Sequence, residues 1–380
     1  MSAQPRQKQG KLTQLRHGWY GRQEWAIVGT PCGNIQQLAQ TVVEALKDQY
    51  RFGYLHANYR APKAEEKPSP AVTYTNKVQW HQWETHQAPN PAQYWQQFNE
   101  VDVVLVNGNH LEAARQVVVV DMEKYDSLKK RLPQLTDVAM WAYAEGMKEP
   151  HDFLKEAFPH WAEIPSMLLN NPTPLITLID STLQAAQKSI SAIVLAGGKS
   201  QRMGNDKTVI DYHGKPQREH LYGMLQPLVD EVYLSCRPEQ AEELSEQYHV
   251  LPDSFLGMGP YGAILSALQH DPNRAWLVVA VDMPYVTEES VTYLIAKRQP
   301  KAIGTAYRNP DNKLPEPLLS IWEPKAYQYL LTLLAQGINS PRKALLSSEN
   351  ITLLDPTDER IVRNVNTPEE LNQVRNEMVS

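Results

Sequence analysis

The chain has 380 residues, with 37 Lys+Arg against 43 Asp+Glu and a formal net charge of −6. At roughly 150 residues per domain this length predicts two or three domains, and 42% hydrophobic with 21% charged residues excludes a largely disordered polymer. No apolar run approaches the roughly 18 residues of a membrane span, and the acidic balance gives no support for nucleic-acid binding, so neither a membrane nor a nucleic acid is an expected partner.

Met1 to Arg22 carries five basic residues, no acidic one and no apolar core. It therefore reads as a mobile arm and not as a secretory signal. Trp25 to Val28 is a β-branched run that leads into the turn Gly29-Thr-Pro-Cys-Gly33, the start of an α/β domain. Asn34 reads as the cap of a helix carrying Ile35, Leu38, Val42, Val43 and Leu46. Phe52 to His56 reads as a second strand, and Pro62, Pro68 and Pro70 make residues 61–70 a loop. In Trp80-His-Gln-Trp-Glu-Thr-His86 the histidines are five apart, poor spacing for one helical face, so an aromatic surface is expected and not a metal site.

Val101 to Val106 and Gln116 to Val120 read as buried strands of a parallel sheet. Residues 123–165 read as mostly helical, broken by Pro133, Pro150, Pro159 and Pro165. Asn170-Asn-Pro-Thr-Pro174 marks the boundary, and 175–188 reads as a helix leading into the second domain. The expected division is an arm at 1–22, an α/β domain with a helical extension at 23–170, a linker at 171–188 and a second domain at 189–380. Cys32 and Cys236 are far apart with no CxxC partner, which leaves neither a disulfide framework nor a zinc site. The cytoplasm is the expected compartment.

In the second domain, strands are predicted at 192–196, 231–235, 276–281 and 303–307. Helices are predicted near 217–227, 239–247, 261–269, 288–297, 324–335, 341–347 and 368–378. This alternation predicts a doubly wound sheet with ligands at the carboxyl ends of its strands.

The most informative stretch is Leu195-Ala-Gly-Gly-Lys-Ser-Gln-Arg-Met-Gly-Asn-Asp-Lys207. Gly197 and Gly198 let backbone N–H groups approach an anion, and Arg202 and Lys207 add two cations, a composition suited to a triphosphate. The stretch is neither a Walker A loop nor a Gly-x-Gly-x-x-Gly fingerprint. Asp282 follows an apolar strand, where an acid is either a Mg2+ ligand at a ligand crevice or a helix N-cap before Pro284. Asn366 likewise reads as a site residue or as the cap of the last helix.

This string resembles the signature of sugar-nucleotide-type nucleotidyltransferases, and within them most closely the molybdenum cofactor guanylyltransferase (MobA) family. Leu251-Pro-Asp-Ser254, Gly257-Met-Gly-Pro-Tyr-Gly262, Val279-Ala-Val-Asp-Met-Pro284 and Arg363-Asn-Val-Asn-Thr-Pro-Glu-Glu370 follow in the family's order. The resemblance runs from Ser189 to the C-terminus. It implies a Rossmann-like nucleotidyltransferase domain that binds the nucleotide through Leu195, Ala196, Gly197, Gly198, Lys207, Asp253 and Asp282. It also implies Mg2+ as cofactor at Asp282 and Asn366, charge neutralisation by Arg202 and Lys207, and Arg342 and Asn364 on the pterin side. The implied reaction is in-line attack by the terminal phosphate of Mo-molybdopterin on the α-phosphorus of GTP, with release of pyrophosphate. A molybdoenzyme apo-protein or a cofactor-insertion protein is the further partner implied. Ser235-Cys236-Arg237 replaces the family's Asn-Arg, and a thiol lacks the paired donor and acceptor of an amide. A CTP-dependent cytidylyltransferase therefore stays open as an alternative, as does a non-catalytic scaffold for cofactor maturation.

Residues 23–140 are similar to the MobB family, the P-loop partner of the guanylyltransferase, through 25–47, Phe52-Gly-Tyr-Leu-His56 and Asp102-Val-Val-Leu-Val-Asn-Gly-Asn-His110. The Walker A Gly-Lys-Thr is replaced by Gly33-Asn34-Ile35, and Asn107 stands in place of a glutamate. The expectation is a P-loop-like domain without a working Walker A that does not hydrolyse GTP.

Overall fold

The computed structural model describes residues 21–57, 72–76, 81–85, 90–196 and 210–379. The chain divides into two compact units, Met1–Thr177 and Leu178–Ser380, each with its own sheet. The division falls inside one continuous helix, Thr173–Lys188. Among the described residues no helix is long and apolar enough to cross a membrane.

In the first unit the strands are β1 (Gln23–Val28), β2 (Phe52–Leu55), the hairpin β3 (Val72–Asn76) and β4 (His81–Thr85), then β5 (Val103–Asn107), β6 (Arg115–Val120), β7 (Val138–Tyr143) and β8 (Ser166–Leu168). The sheet order is β2-β5-β1-β6-β7-β8 with every pair parallel. Its central strands β1, β5 and β6 are almost wholly buried, and their longest stretches, Trp25–Val28, Val103–Val106 and Val117–Val120, are apolar, as expected of a parallel sheet covered on both faces. Helix Cys32–Leu46 buries Ile35, Leu38, Ala39, Val42 and Leu46. Its N-cap is Pro31 and not Asn34, which lies in the first turn and donates Nδ2 to Thr30 Oγ1 at 3.1 Å.

Residues 123–165 are not mostly helical. The α-helices there are Tyr125–Lys130 and Asp152–Ala157, with 3-10 turns at Met122–Lys124, Leu132–Gln134 and Trp161–Glu163, and β7 runs between the two α-helices. Its sequence, Val-Ala-Met-Trp-Ala-Tyr, is short and apolar, and periodicity cannot distinguish such a run from a buried helix. Pairing with β6 decides it. Arg22, the last residue assigned to the arm, is buried and paired with Glu24. On the hairpin, Tyr74 lies against Trp83 with centroids 4.7 Å apart, both exposed. Trp80 and His86 lie outside the described residues.

In the second unit the strands are β9 (Ile190–Leu195), β10 (Glu231–Cys236), β11 (Val250–Pro252), β12 (Ala275–Ala280), β13 (Gly304–Arg308), β14 (Pro315–Trp322) and β15 (Ile351–Leu354). The order is β11-β10-β9-β12-β14-β13-β15. The first four are parallel, but β14 is antiparallel to both β12 and β13, so the sheet is mixed and not uniformly doubly wound. Only the short loop 309–314 joins β13 to β14, and so short a connection can only make a hairpin. Helices Gln217–Leu225, Pro260–His270, Glu288–Ala296, Ala326–Ala335, Pro341–Leu346 and Pro368–Val379 surround the sheet. The core joins Ala192 and Val194 to Leu277 and Val279, with Leu221, Leu225, Val291 and Leu294 packed over them.

Candidate active site

The chain leaves β9 for β10 on one side and returns to β12 on the other. That reversal, beyond the carboxyl ends of β9 and β12, is the switch point at which open α/β sheets carry their ligand crevice. The register is level there, since Leu195 pairs with both Ser235 and Ala280. Leu195 and Ala196 therefore form the lip of the crevice, and Ala196 N–H donates to the Ser235 carbonyl at 3.3 Å. Gly197, Gly198, Arg202 and Lys207 lie outside the described residues.

Asp282 sits two positions past the end of β12, in a turn closed by Met283 N–H to the Ala280 carbonyl at 3.3 Å. It is not a helix cap, because Thr287 caps helix Glu288–Ala296 by accepting from Ser290 N–H at 3.2 Å. The turn is braced from the segment before β10, where Gln217 Nε2 donates to the Met283 carbonyl at 3.5 Å and His213 Nε2 lies 3.1 Å from the Pro284 carbonyl. From the far end of the chain, Val365 N–H donates to the Asp282 carbonyl at 2.8 Å. This brings Asn364 beside the acid. Asn364 Oδ1 is buried and accepts no hydrogen bond among the described residues.

Asn366 is exposed. Thr367 and Glu370 reciprocally cap the last helix, through Glu370 N–H to Thr367 Oγ1 and Thr367 N–H to Glu370 Oε2. The cap reading of Asn366 is thereby replaced. Burial, reinforced by the charge of Asp282, pushes the Tyr212 hydroxyl up to about 12, so this phenol stays neutral beside the acid.

Asp253 follows β11. Its Oδ1 accepts from Ser235 Oγ at 3.0 Å and its N–H donates to the Cys236 carbonyl at 3.0 Å. Burial raises the Asp253 carboxyl, and the Ser235 hydroxyl opposes this. Cys236 is 0% exposed and packs in the core, with its thiol pushed up to about 11 by burial and then by Asp253 and Glu239. At 235–237 it is therefore Ser235 that partners Asp253, while the Cys236 thiol is buried in the core. Beyond Asp253 the loop turns tightly. A Cβ on Gly262 would come within 2.3 Å of the Phe255 carbonyl oxygen, which explains glycine at the start of helix Pro260–His270.

Glu316 is a candidate site residue that the sequence motifs do not reveal. It is 1% exposed on β14, pairs with Arg342 Nη2 at 3.1 Å and feels the charge of Asp282. Arg342 lines a pocket of about 440 Å³ with Asn309, Asn312, Glu316, Arg363 and Asn364. The signal in the sequence was an acid flanked by Pro315 and Pro317 in an otherwise apolar run. Prolines argue against a strand, which hid it.

The donors suit Mg2+. A carboxylate at the crevice and an orphan amide oxygen beside it are hard oxygen ligands, and Mg2+ usually takes one or two carboxylates and completes its shell with water and phosphate oxygens. Among the described residues no group of three or more His, Cys, Asp or Glu is gathered for a metal, and such a Mg2+ site requires none.

In the first unit the corresponding turn is filled by its own side chains. Gly29 N–H donates to Asn109 Oδ1 at 3.3 Å, Asn109 Nδ2 donates to the Thr30 carbonyl at 2.7 Å, and Thr30 Oγ1 donates to Asp121 Oδ2 at 2.8 Å. Asn107 Oδ1 in turn accepts from Asn109 N–H at 3.1 Å.

A crevice at a topological switch point, with an acid at one strand end and a phosphate-suited loop after the other, defines a nucleotide-binding α/β unit of the nucleotidyltransferase class. The family model for the MobA-like NTP transferase domain matches residues 192–351. A molybdenum cofactor guanylyltransferase of Pseudomonas putida is 30% identical over 194 residues, 49% of this chain and 97% of that protein. A molybdenum cofactor biosynthesis bifunctional protein of Synechocystis is 33% identical over 212 residues, and the alignment spans 61% of its length. Among solved structures, molybdopterin-guanine dinucleotide biosynthesis protein A of Archaeoglobus fulgidus is similar, with 27% identity and a TM-score of 0.42 over 50% of this chain and 98% of that one. The chain belongs to the molybdenum cofactor guanylyltransferase family, through its second unit.

Proposed function

We propose that the second unit transfers GMP from GTP to the terminal phosphate of Mo-molybdopterin and releases pyrophosphate. The observation that carries this reading is the Asp282–Val365 hydrogen bond. It sets the acid of the Val279–Pro284 motif and Asn364 of the closing motif side by side at the switch point. Family membership supports the same reaction.

The nucleophile is already an anionic phosphate oxygen, so no general base is needed and catalysis is positioning with charge neutralisation. Asp282 and Asn366 would hold Mg2+, with the orphan amide oxygen of Asn364 completing the oxygen set. When bound, the metal supplies positive charge to the triphosphate oxygens. Gly197, Gly198, Arg202 and Lys207, by their place after β9, would bind the triphosphate. Asp253 holds the nucleotide side, through the loop that ends in Gly262. Arg342 and Asn364 hold the acceptor side, across the 440 Å³ pocket. Such an enzyme operates in the cytoplasm, and its product goes to a molybdoenzyme apo-protein.

The first unit is best read as a P-loop-like fold whose nucleotide site is closed. The Asn109 carboxamide takes the Gly29 N–H that would otherwise face a phosphate.

The deciding experiment is turnover of a molybdopterin acceptor with GTP, CTP, ATP and UTP in parallel. Preference for GTP is expected. Preference for CTP would replace the guanylyl reading with the cytidylyl one, and no turnover with any nucleotide would favour a scaffold.

A further inference from the structure

A strand that reads Pro-Glu-Pro-Leu-Leu-Ser-Ile-Trp spends an acid where the fold needs an apolar side chain. Glu316 is 1% exposed, and a carboxylate that deep is costly unless it is paired. Its Oε1 accepts from Leu318 N–H at 3.2 Å and its Oε2 from Arg342 Nη2 at 3.1 Å. Arg342 also donates Nε to the Pro315 carbonyl at 3.2 Å. Two adjacent residues of one strand therefore grip two donors of one guanidinium. Pro315 and Pro317 on either side of Glu316 restrict the backbone that carries the grip.

The gripped arginine is not itself buried. Its side chain is 38% exposed, and among the described residues Nη1 has no partner. Arg342 stands in the wall of the pocket that Asn364 also lines. Burial makes the Glu316 carboxyl hard to ionise, Arg342 and the Leu318 N–H oppose that, and the nearby Asp282 charge adds to it. An apolar residue would avoid the whole arrangement, so an acid at this position points to a task other than stability.

We infer that Glu316 is a positioning residue, which locks Arg342 so that the guanidinium presents fixed donors to a phosphate group of the acceptor in this pocket. The inference rests on the nucleotidyl-transfer reading for the identity of the acceptor, and on the clamp geometry for the role of Glu316. A free arginine would have to be ordered by each incoming acceptor, whereas a clamped one is ordered beforehand.

The test compares wild type, Glu316→Ala, Glu316→Gln, Arg342→Ala and the double variant Glu316→Ala/Arg342→Ala. Two quantities are read: the dissociation constant for metal-free molybdopterin by direct binding, and the KM values for acceptor and GTP in transfer. Loss of one charge-assisted contact predicts that Glu316→Ala weakens acceptor binding about 10- to 100-fold, with the KM for GTP unchanged. Arg342→Ala is expected to do the same, and the double variant no more than either single, because the two residues act as one unit. Glu316→Gln keeps the shape and is expected to fall between wild type and Glu316→Ala, which covers the case in which the alanine variant fails to fold.

Additive losses in the double variant would overturn the inference. So would unchanged acceptor binding in a folded Glu316 variant, or an equal rise in the KM for GTP. Wild type that binds molybdopterin but prefers another nucleotide would refute the guanylyl reading and leave the clamp standing, because the binding measurement uses no nucleotide.

Discussion

The backbone N–H of Val365 donates to the carbonyl of Asp282 at 2.8 Å, tying the last motif of the chain to the acid at the end of β12. The bond is made by main-chain atoms, so it orients the segment 363–367 whatever its side chains are. Within it the Asn364 Oδ1 is left without a partner among the described residues, an oxygen that can serve a ligand.

It follows that Asn364→Ala removes a ligand-facing oxygen and not a structural bond. Its Tm is expected to stay within a few degrees of wild type, while transfer falls about 10-fold or more, the scale of one lost polar contact to a charged group. Steady-state kinetics beside thermal unfolding separates the two effects.

Asp253 carries a cost that the nucleotide is expected to offset. Burial raises its carboxyl in the folded state above the unfolded value, so its charged form opposes folding as pH rises through that raised value. Asp253→Asn is therefore expected to raise the unfolding temperature of the free protein at pH 7 and to weaken GTP binding. A calorimetric scan with and without GTP reads both.

His220 gives a stability profile of opposite sign. Burial, helped by the charges of His213 and Lys215, lowers it from 6.5 to about 4 in the folded chain. The unfolded chain takes up the proton first as pH falls, so the stabilisation is complete above about pH 6.5 and is lost between there and about pH 4. The urea midpoint is expected to drop over this window, and less steeply in His220→Gln. His220 stacks on His213, with centroids 3.8 Å apart, and His213 braces the Asp282 turn. Activity is expected to decline over the same range.

In the first unit, Asn109→Ala leaves the Gly29 N–H and the wholly buried Thr30 carbonyl unpaired, an expected cost of about 1–3 kcal/mol. Asn34→Ala removes only its bond to Thr30 and is expected to leave transfer unchanged. Denaturant unfolding and GTP turnover of these variants check both. Release of inorganic phosphate from GTP by the wild-type first unit would contradict the closed-turn reading.

Much of this was legible in the sequence because the motifs sit where the chain changes structure. The run 275–280 leads into Asp282, the run 190–195 opens onto the paired glycines, and the helices after residue 217 carry clean spacing. What was hidden depended on pairing in space. β7 is a short apolar run and β14 opens on Pro-Glu-Pro, and their partners, β6 for the one and β12 and β13 for the other, decide their state. Glu316 was hidden by its prolines, and its role appears only once Arg342 arrives from a later helix. Cys236 drew attention through a motif mismatch, yet it is a core residue, because alternation along β10 turns it inward.

The most direct measurement of the central claim is formation of the dinucleotide from GTP, Mg2+ and molybdopterin by wild type and by Asp282→Asn, with pyrophosphate release followed alongside. Wild type is expected to form the product, and Asp282→Asn, with its fold retained, to be slower by about 100- to 1,000-fold. An Asp282→Asn variant that turns over at the wild-type rate would contradict the placement of the active site at the end of β12.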